Sequence, residues 1–408
     1  MDRIILHIDV NNAFLSWSAV WMLKNGYNKD IRNRYAVIAG DESQRRGIVL
    51  AKSGLCKKRG VKTADPIYLA RRKCPYLEVY PPKFEVYKKF SDMMYKYLCN
   101  YTNIIERYSI DECFLDYTGS INLFGDPVKV AYRIKDDIYK KFGFTVNVGV
   151  GNNKLLAKMA SDFEKPNKVH TLFSNEIEKK MFPLPIEDLF MIGKASSKKL
   201  REMGITTIGE LAKTDEDVLV RKFKQMGKMM HEYANGIDNS EVMYEREQMK
   251  SISNSTVLPY NYHDIEMIKN VIHSLSNEIG KKLRNNKLYA DTVGIWFKYT
   301  YFDKVSRQIK LDNSISNDED IYNNSFSIFN SIWNHEDGIR SICVFVSGLS
   351  SERKLQLSLF DDITRKDEDD NNLQDVIDDL RDKFGDNVIG FANKKNDKNN
   401  KNTDSSNY

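Results

Sequence analysis

Glu106-Arg-Tyr-Ser-Ile-Asp-Glu-Cys-Phe-Leu-Asp-Tyr117 sets two adjacent carboxylates, Asp111 and Glu112, inside an otherwise strand-like run. Acids lower strand propensity, so the pair raises a functional question. Neighbours on a regular strand point to opposite faces, and both acids reach one ion only if the chain bends or turns a hairpin corner there. A solvated turn, which acids readily occupy, is the plainer alternative.

Outward from this stretch, the chain alternates strand and helix. Ile4–Ile8 is a short buried strand that ends at Asp9, followed by Asn11 and Asn12. Ala13–Leu23 reads as a helix and Tyr35–Ala39 as a strand, and a small domain closes near Pro81-Pro82. Tyr87–Asn100 and Pro127–Phe142 are helical, Tyr108–Asp116 and Thr145–Val150 are strands, and the helix entered at Gly151-Asn-Asn-Lys-Leu-Leu-Ala-Lys158 cannot continue through Pro166. That order describes a palm-like α+β sheet, which brings Asp9 beside Asp111.

Leu184–Leu200 and Gly204–Leu211 read as two helices around a glycine turn able to aim backbone N–H groups at a phosphate, with a second turn at Gly227. A ligand-free structural role fits that segment equally well. Residues 239–250 read as a linker. A helix over Ile265–Arg284, strands at Thr292–Lys298, Ser306–Leu311 and Ile339–Val346, and a helix near Ser325–Trp333 follow. Residues 281–310 carry 8 basic against 2 acidic side chains, on strands with Trp296, Tyr299 and Tyr301; such a face can track a phosphate backbone or simply be solvated.

Composition narrows the class. The 408 residues suggest two to four domains, and the net charge of +5 divides into −5 over 361–408 and about +10 before it. A basic body suits nucleic acid. The five cysteines show no Cys-x-x-Cys pairing, which speaks against a disulfide framework or a zinc site. With no leader-like or membrane-length apolar run, a cytoplasmic protein is expected. The tail from Asp361, rich in Asp, Asn and Lys, is expected to be mostly disordered, with one short helix at Leu373–Phe384.

Taken in order, His7-Ile-Asp9, Gly60-Val-Lys-Thr with Cys74-Pro75, Ser109-Ile-Asp-Glu112, Val148-Gly-Val150, Asn153-Lys-Leu-Leu-Ala-Lys158, Lys165-Pro166, the Gly193 turn and Lys250-Ser-Ile resemble the Y-family of translesion DNA polymerases, nearest the bacterial polymerase IV (DinB) and UmuC branch. The resemblance covers about 350 residues and implies an α+β right-hand polymerase. Its palm would comprise 1–10 and 83–172, its fingers 11–82, its helical thumb 173–238, its linker 239–250 and its little finger 251–353. It implies error-prone, template-directed extension of a primer 3′-OH from dNTPs with two Mg²⁺ ions. Asp9, Asp111 and Glu112 match the metal ligands, with the Val10 carbonyl as a backbone ligand, because two dications that also grip phosphate need several carboxylates.

Phe14 matches the aromatic ring that excludes a ribose 2′-OH, and Lys165 a triphosphate-contacting lysine. Lys158 reads either as a site lysine or as a surface helix charge. In the fingers, Gly54 and Lys57 stand where the family commonly has Tyr and Arg. Lys57 can still neutralise phosphate, and Lys52 is a candidate to compensate for Gly54. Gly193, Lys194 and Gly227 would meet DNA, although Met191 replaces a usual glycine. Gln356-Leu-Ser-Leu-Phe360 resembles the bacterial sliding-clamp-binding peptide, with Gln356, Leu357, Leu359 and Phe360 as its anchors. Asn11-Asn12 leans towards UmuC. The implied protein is a nucleoid-associated monomer that binds primer–template DNA, dNTPs and the clamp, with no membrane partner. The competing readings are an inert clamp-associated homologue and a palm-fold nucleotidyl cyclase, which would have no need of a DNA grip.

Overall fold

The computed structural model describes residues 3–43, 45, 47–244 and 248–354, with Val376, Leu380, Lys383 and Phe384 as isolated positions. The peptide at 356–360 and the expected helix at 373–384, apart from those positions, lie outside the described residues. The chain divides into two compact units, 1–247 and 248–408. Among the described residues no helix is long and apolar enough to cross a membrane.

The first unit holds strands β1 (Ile5–Val10), β2 (Ala36–Ala39), β3 (Val49–Lys52), β4 (Glu78–Tyr80), β5 (Ile105–Arg107), β6 (Glu112–Asp116), β7 (Val146–Gly151) and β8 (Val169–Leu172). Five of them form one sheet in the order β5-β6-β1-β7-β8, and β3-β2-β4 form a smaller one. Every residue of β1 is buried, as a central strand covered on both faces requires. Leu6, Ile8 and Val10 pack into one core with the helices Phe84–Leu98 and Pro127–Phe142. Ile5 packs on the other face with Phe114 and Ala157, against the helix Lys154–Asp162. The two-residue period therefore sends Ile5, His7 and Asp9 together towards this second helix.

That helix lies unusually close. A β-carbon on Gly149 would meet the Ala157 carbonyl oxygen at 2.0 Å and the Ser161 nitrogen at 2.5 Å, so no other residue fits at this crossing. Residues 239–244, read as the start of a linker, also pack on this face. Val242 is buried beside Ile5, and the Met243 N–H donates to Glu106 at 2.8 Å.

The expected strand Tyr108–Asp116 begins only at Glu112; Tyr108–Asp111 form the corner of a hairpin in which β5 and β6 pair antiparallel with Arg107 opposite Cys113. The Tyr108 and Ser109 N–H groups donate to the Glu112 carbonyl across the corner.

The helices Lys194–Glu202, Ile208–Lys213, Glu216–Phe223 and Gln225–Ala234 share a separate core around Leu200, Ile208, Leu211 and Leu219. Gly204, at φ +84°, makes the expected first turn. The second turn lies at Lys224 (φ +57°), not at Gly227. Gly227 is buried in the first turn of the following helix, where a β-carbon would sit 2.3 Å from the Leu219 carbonyl oxygen; close helix packing explains this glycine.

In the second unit, β9 (Ser251–Tyr262), β10 (Tyr289–Tyr299), β11 (Lys304–Ile315) and β12 (Ile339–Ser350) pair antiparallel in the order β11-β10-β12-β9. The helices Ile265–Asn285 and Asp318–Ile332 share a core with Val293, Ile295 and Phe297 on one face. Alternation assigns Trp296, Lys298, Lys304 and Lys310 to the opposite face, and the Lys304 ammonium lies 4.6 Å over the Trp296 ring.

Met191, at φ +71° and half exposed, adopts the left-handed region where a side chain costs about 1–2 kcal/mol. Glycine's extra freedom in the unfolded chain offsets about 0.5–1 kcal/mol of that relief. Met191→Gly should raise stability by up to about 1 kcal/mol in urea unfolding, and a lowered midpoint would contradict the strain.

Candidate active site

Asp9 and Glu112 lie directly opposite each other on the paired strands β1 and β6, with His7 opposite Phe114 one step along the same face. Asp111 precedes β6 at the hairpin corner. Its carbonyl accepts from the Val10 N–H at 3.0 Å, and its carboxylate accepts from the Ser109 hydroxyl at 2.7 Å. The corner interrupts the strict alternation that would send the adjacent acids to opposite faces of a strand. Val10 is buried beside Asp9 at the end of β1.

Two lysines enter among these acids. Lys158 Nζ is 2.8 Å from Glu112 and 3.7 Å from Asp9, and also 3.4 Å from Asp162. It is buried, which corrects the reading of a surface helix charge. Lys165 pairs with Asp9 and, at 2.7 Å, with Asp162, but it is more open to solvent. The structure thus brings Asp9, Glu112, Lys158 and Lys165 into direct contact.

Their ionisation follows from this packing. Burial pushes the Glu112 carboxyl up, but the facing His7 and the Lys158 ammonium reverse that and hold it at about 2. His7 Nε2 stands 3.9 Å from Glu112, beyond hydrogen-bond reach, so the 2.8 Å Lys158 contact is the firmer cause. Burial would lower the Lys158 pKa, yet the Glu112 hydrogen bond and the surrounding acids raise it. Asp111 has no such cation: burial first, then the charges of Asp9 and Glu112, raise its pKa, against the lowering effect of Ser109.

His7 is fully buried, and burial lowers its pKa, so the ring is neutral. The Ser161 hydroxyl donates to the Lys158 carbonyl at 2.7 Å and thereby accepts from His7 Nδ1–H at 2.8 Å. Nε2 has no hydrogen-bond partner and stands 3.9 Å from the Glu112 carboxylate. Neither Ser161 nor this role of His7 was singled out in the sequence; the sheet register that unites them emerges only from long-range pairing.

The donor set suits a hard divalent cation. It is made of carboxylates, one of which has its pKa raised by burial and then by the charges of the others, and an ammonium already bridges two of them. Even so, among the described residues no three His, Cys, Asp or Glu side chains converge as a ready-made ion cage. The lysines stand where the carboxylates would have to close in.

Phe14, on the helix Ala13–Lys24, stacks on Tyr87 with ring centroids 4.6 Å apart. It lies two residues beyond Asn12, whose amide donates to the Lys52 carbonyl at 2.8 Å. Lys52 donates to the neutral Thr63 hydroxyl at 2.9 Å, and its pKa is lowered by burial and by nearby Lys57. Gly54 opens the short helix that carries Lys57, and a β-carbon there would meet nothing within 4 Å. Gly193 caps the helix that begins at Lys194, both exposed. The Gly227 N–H is already committed to the Lys224 carbonyl at 2.8 Å.

This geometry defines a carboxylate site on a palm-type sheet. Residues 8–162 match the impB/mucB/samB family, residues 249–359 that family's C-terminal domain, and residues 187–238 the thumb domain of DNA polymerase-iota. A Y-family DNA polymerase chimera shares the fold with a TM-score of 0.73, at 22% identity over 85% of this chain and 98% of its own. DNA polymerase IV of Clostridium acetobutylicum is 46% identical over 95% of this chain and 97% of its own length. DNA polymerase IV 2 of Bacillus subtilis is 34% identical over 95% and 93%. The chain belongs to the Y-family of DNA polymerases. Membership brings a general dependence on divalent metal.

The ion pair makes stability depend on pH. Glu112 has a folded pKa of about 2 against an ordinary 4.5, so its contribution is present above 4.5 and is lost as pH falls towards 2. Lys158 is raised above 10.5, so its contribution is present below 10.5 and is lost as pH climbs through the raised value. In metal-free urea unfolding, the wild type should lose stability on acidification below 4.5 more steeply than Glu112→Gln; equal slopes would contradict the pairing.

Proposed function

We propose that Asp9, Asp111 and Glu112, with the Val10 carbonyl, hold two Mg²⁺ ions for nucleotidyl transfer. The activity is that of the family: this chain is a DNA-directed DNA polymerase of the translesion class. The observation that carries the site assignment is the register of Asp9 against Glu112, with Asp111 at the adjoining corner. When bound, the ions stabilise charge on the phosphate and acidify the primer 3′-OH. Asp9, Asp111 and Glu112 would hold the ions through their carboxylates, and Val10 through its backbone carbonyl.

Lys165 lies at the open side of the cluster, where its flexible stem suits exchange of Asp9 for an incoming triphosphate. Lys57 and the neighbouring Lys52 supply charge from the fingers. Lys52, paired only to a hydroxyl among its hydrogen bonds in the described residues, has an ammonium available for phosphate. The Phe14 ring, backed by Tyr87, excludes a 2′-hydroxyl. Gly193, Lys194 and Gly227 belong to the DNA-gripping thumb, and the face carrying Trp296, Lys298, Lys304 and Lys310 contributes a basic track for the duplex.

The domain bounds follow the same reading: palm 1–10 and 83–172, fingers 11–82, thumb 173–238, little finger 251–353. The cores around Leu6, Val37, Leu200 and Val293 support four domains, although Ala13, Trp17 and Val20 pack into the Leu6 core and Leu155, Leu156 and Leu172 into the Leu200 core. The enzyme works as a cytoplasmic, nucleoid-associated monomer on primer–template DNA. Gln356, Leu357, Leu359 and Phe360 tether it to the sliding clamp.

Primer extension tests the site. Asp111→Ala should reduce dNTP incorporation by at least about a thousandfold, in line with the electrostatic share of such catalysis; persisting synthesis would reject the assignment. Space at Gly54 gives a second test. Gly54→Tyr should lower the KM for dNTP several-fold with little change in kcat, and an unchanged KM would show that the fingers do not contact nucleotide from this position.

A further inference from the structure

We propose that Lys158 is a positioning residue: its ammonium is the resident counter-cation of the Asp9–Glu112 pair, assembling the carboxylates before a divalent ion arrives and holding their affinity for that ion low. The proposal rests on the ligand assignment of Asp9, Asp111 and Glu112.

Three observations converge on Lys158. Its side chain is 10% exposed and reaches Glu112 at 2.8 Å, Asp9 at 3.7 Å and Asp162 at 3.4 Å, so one cation touches three acids. Its position is fixed by backbone packing, because Gly149 lets the helix Lys154–Asp162 approach the sheet until Ala157 and Ser161 lie against it. Finally, the three acids meet only through this ammonium: among the described residues no three His, Cys, Asp or Glu side chains are grouped so that they could hold a metal ion. Carboxylates brought together on neighbouring strands repel, and a fixed monovalent charge relieves that repulsion without closing them around an ion.

Lys165 differs in kind. Its side chain is 38% exposed and pairs with Asp9 and with Asp162, three residues before it, at the open side of the cluster. It can leave with a polyanionic ligand, whereas Lys158 is packed in place. A dication entering beside Glu112 must share that carboxylate with an ammonium. Affinity for the ion in the absence of nucleotide is therefore suppressed, and removal of the ammonium should raise it.

Mn²⁺ binding followed by the spectroscopic signal of the free ion, together with thermal unfolding in chelator, tests this on the full chain without nucleotide or DNA. Lys158→Met and Lys158→Gln should bind Mn²⁺ at least about tenfold more tightly than wild type, about 1.4 kcal/mol. In chelator both should melt lower than wild type, and saturating Mn²⁺ should restore them. Lys158→Arg, which keeps the charge, should bind Mn²⁺ like wild type. Unchanged or weaker binding in the neutral variants overturns the proposal, as does tightening in Lys158→Arg. Failure of both neutral variants to fold with saturating Mn²⁺ also overturns it, since a metal ion could not then replace the ammonium. Asp9→Asn separates the two layers. If it leaves wild-type Mn²⁺ binding intact, the ligand assignment falls and this proposal with it; if it abolishes binding while Lys158 variants change nothing, only the role of Lys158 falls.

Discussion

The structure of the first unit turns on mutual repulsion among three carboxylates held on adjoining backbone. Asp9 and Glu112 are tied by strand register and Asp111 by a hairpin corner, so backbone hydrogen bonds fix where the charges start. Such charges are costly to bury without partners. The helix Lys154–Asp162 brings one compensating ammonium to the buried side, and Lys165 brings another to the open side. Much of the surrounding packing serves this balance. Asp9 and His7 share a face because the strand alternates, and Gly149 leaves that face open to the helix.

Local signals made much of this legible. An apolar run ending in Asp9 announced a central strand with an acid at its end, and Pro127–Phe142 could be read to the residue from its apolar spacing and proline start. The need for a corner at Asp111–Glu112 followed from strand geometry, and the β5–β6 hairpin supplies it. Long-range pairing was less accessible. Lys158 resembles any helix lysine until the Gly149 contact shows which way its helix is pressed. The serines and asparagine of strand β9 hide its alternation, and Gly227, which reads as a turn glycine, relieves a helix crossing.

The stretch around Gly54 is built more loosely than the carboxylate cluster. Ser53 caps a short helix whose first residue, Gly54, faces open space, so Lys52 and Lys57 flank a position that carries no side chain. Burial and then the like charge of Lys57 lower the Lys52 pKa while leaving a cationic surface, an arrangement suited to a ligand with several negative charges. In the second unit, the division of labour is by sheet face. Apolar residues meet the two helices, while lysines and Trp296 share the other side.

Gly149 gives the ion chemistry a mechanical gauge. The carbonyl of Ala157 occupies the volume that any side chain at 149 would need, so the missing methyl sets how deeply the helix seats. A lever shifted at that fulcrum would move Lys158 and Ser161 together, because both ride the same helix. An uncharged residue on β7 thus belongs to the electrostatic design as fully as the acids do. Sequence drift there would register as altered ion chemistry as well as altered packing.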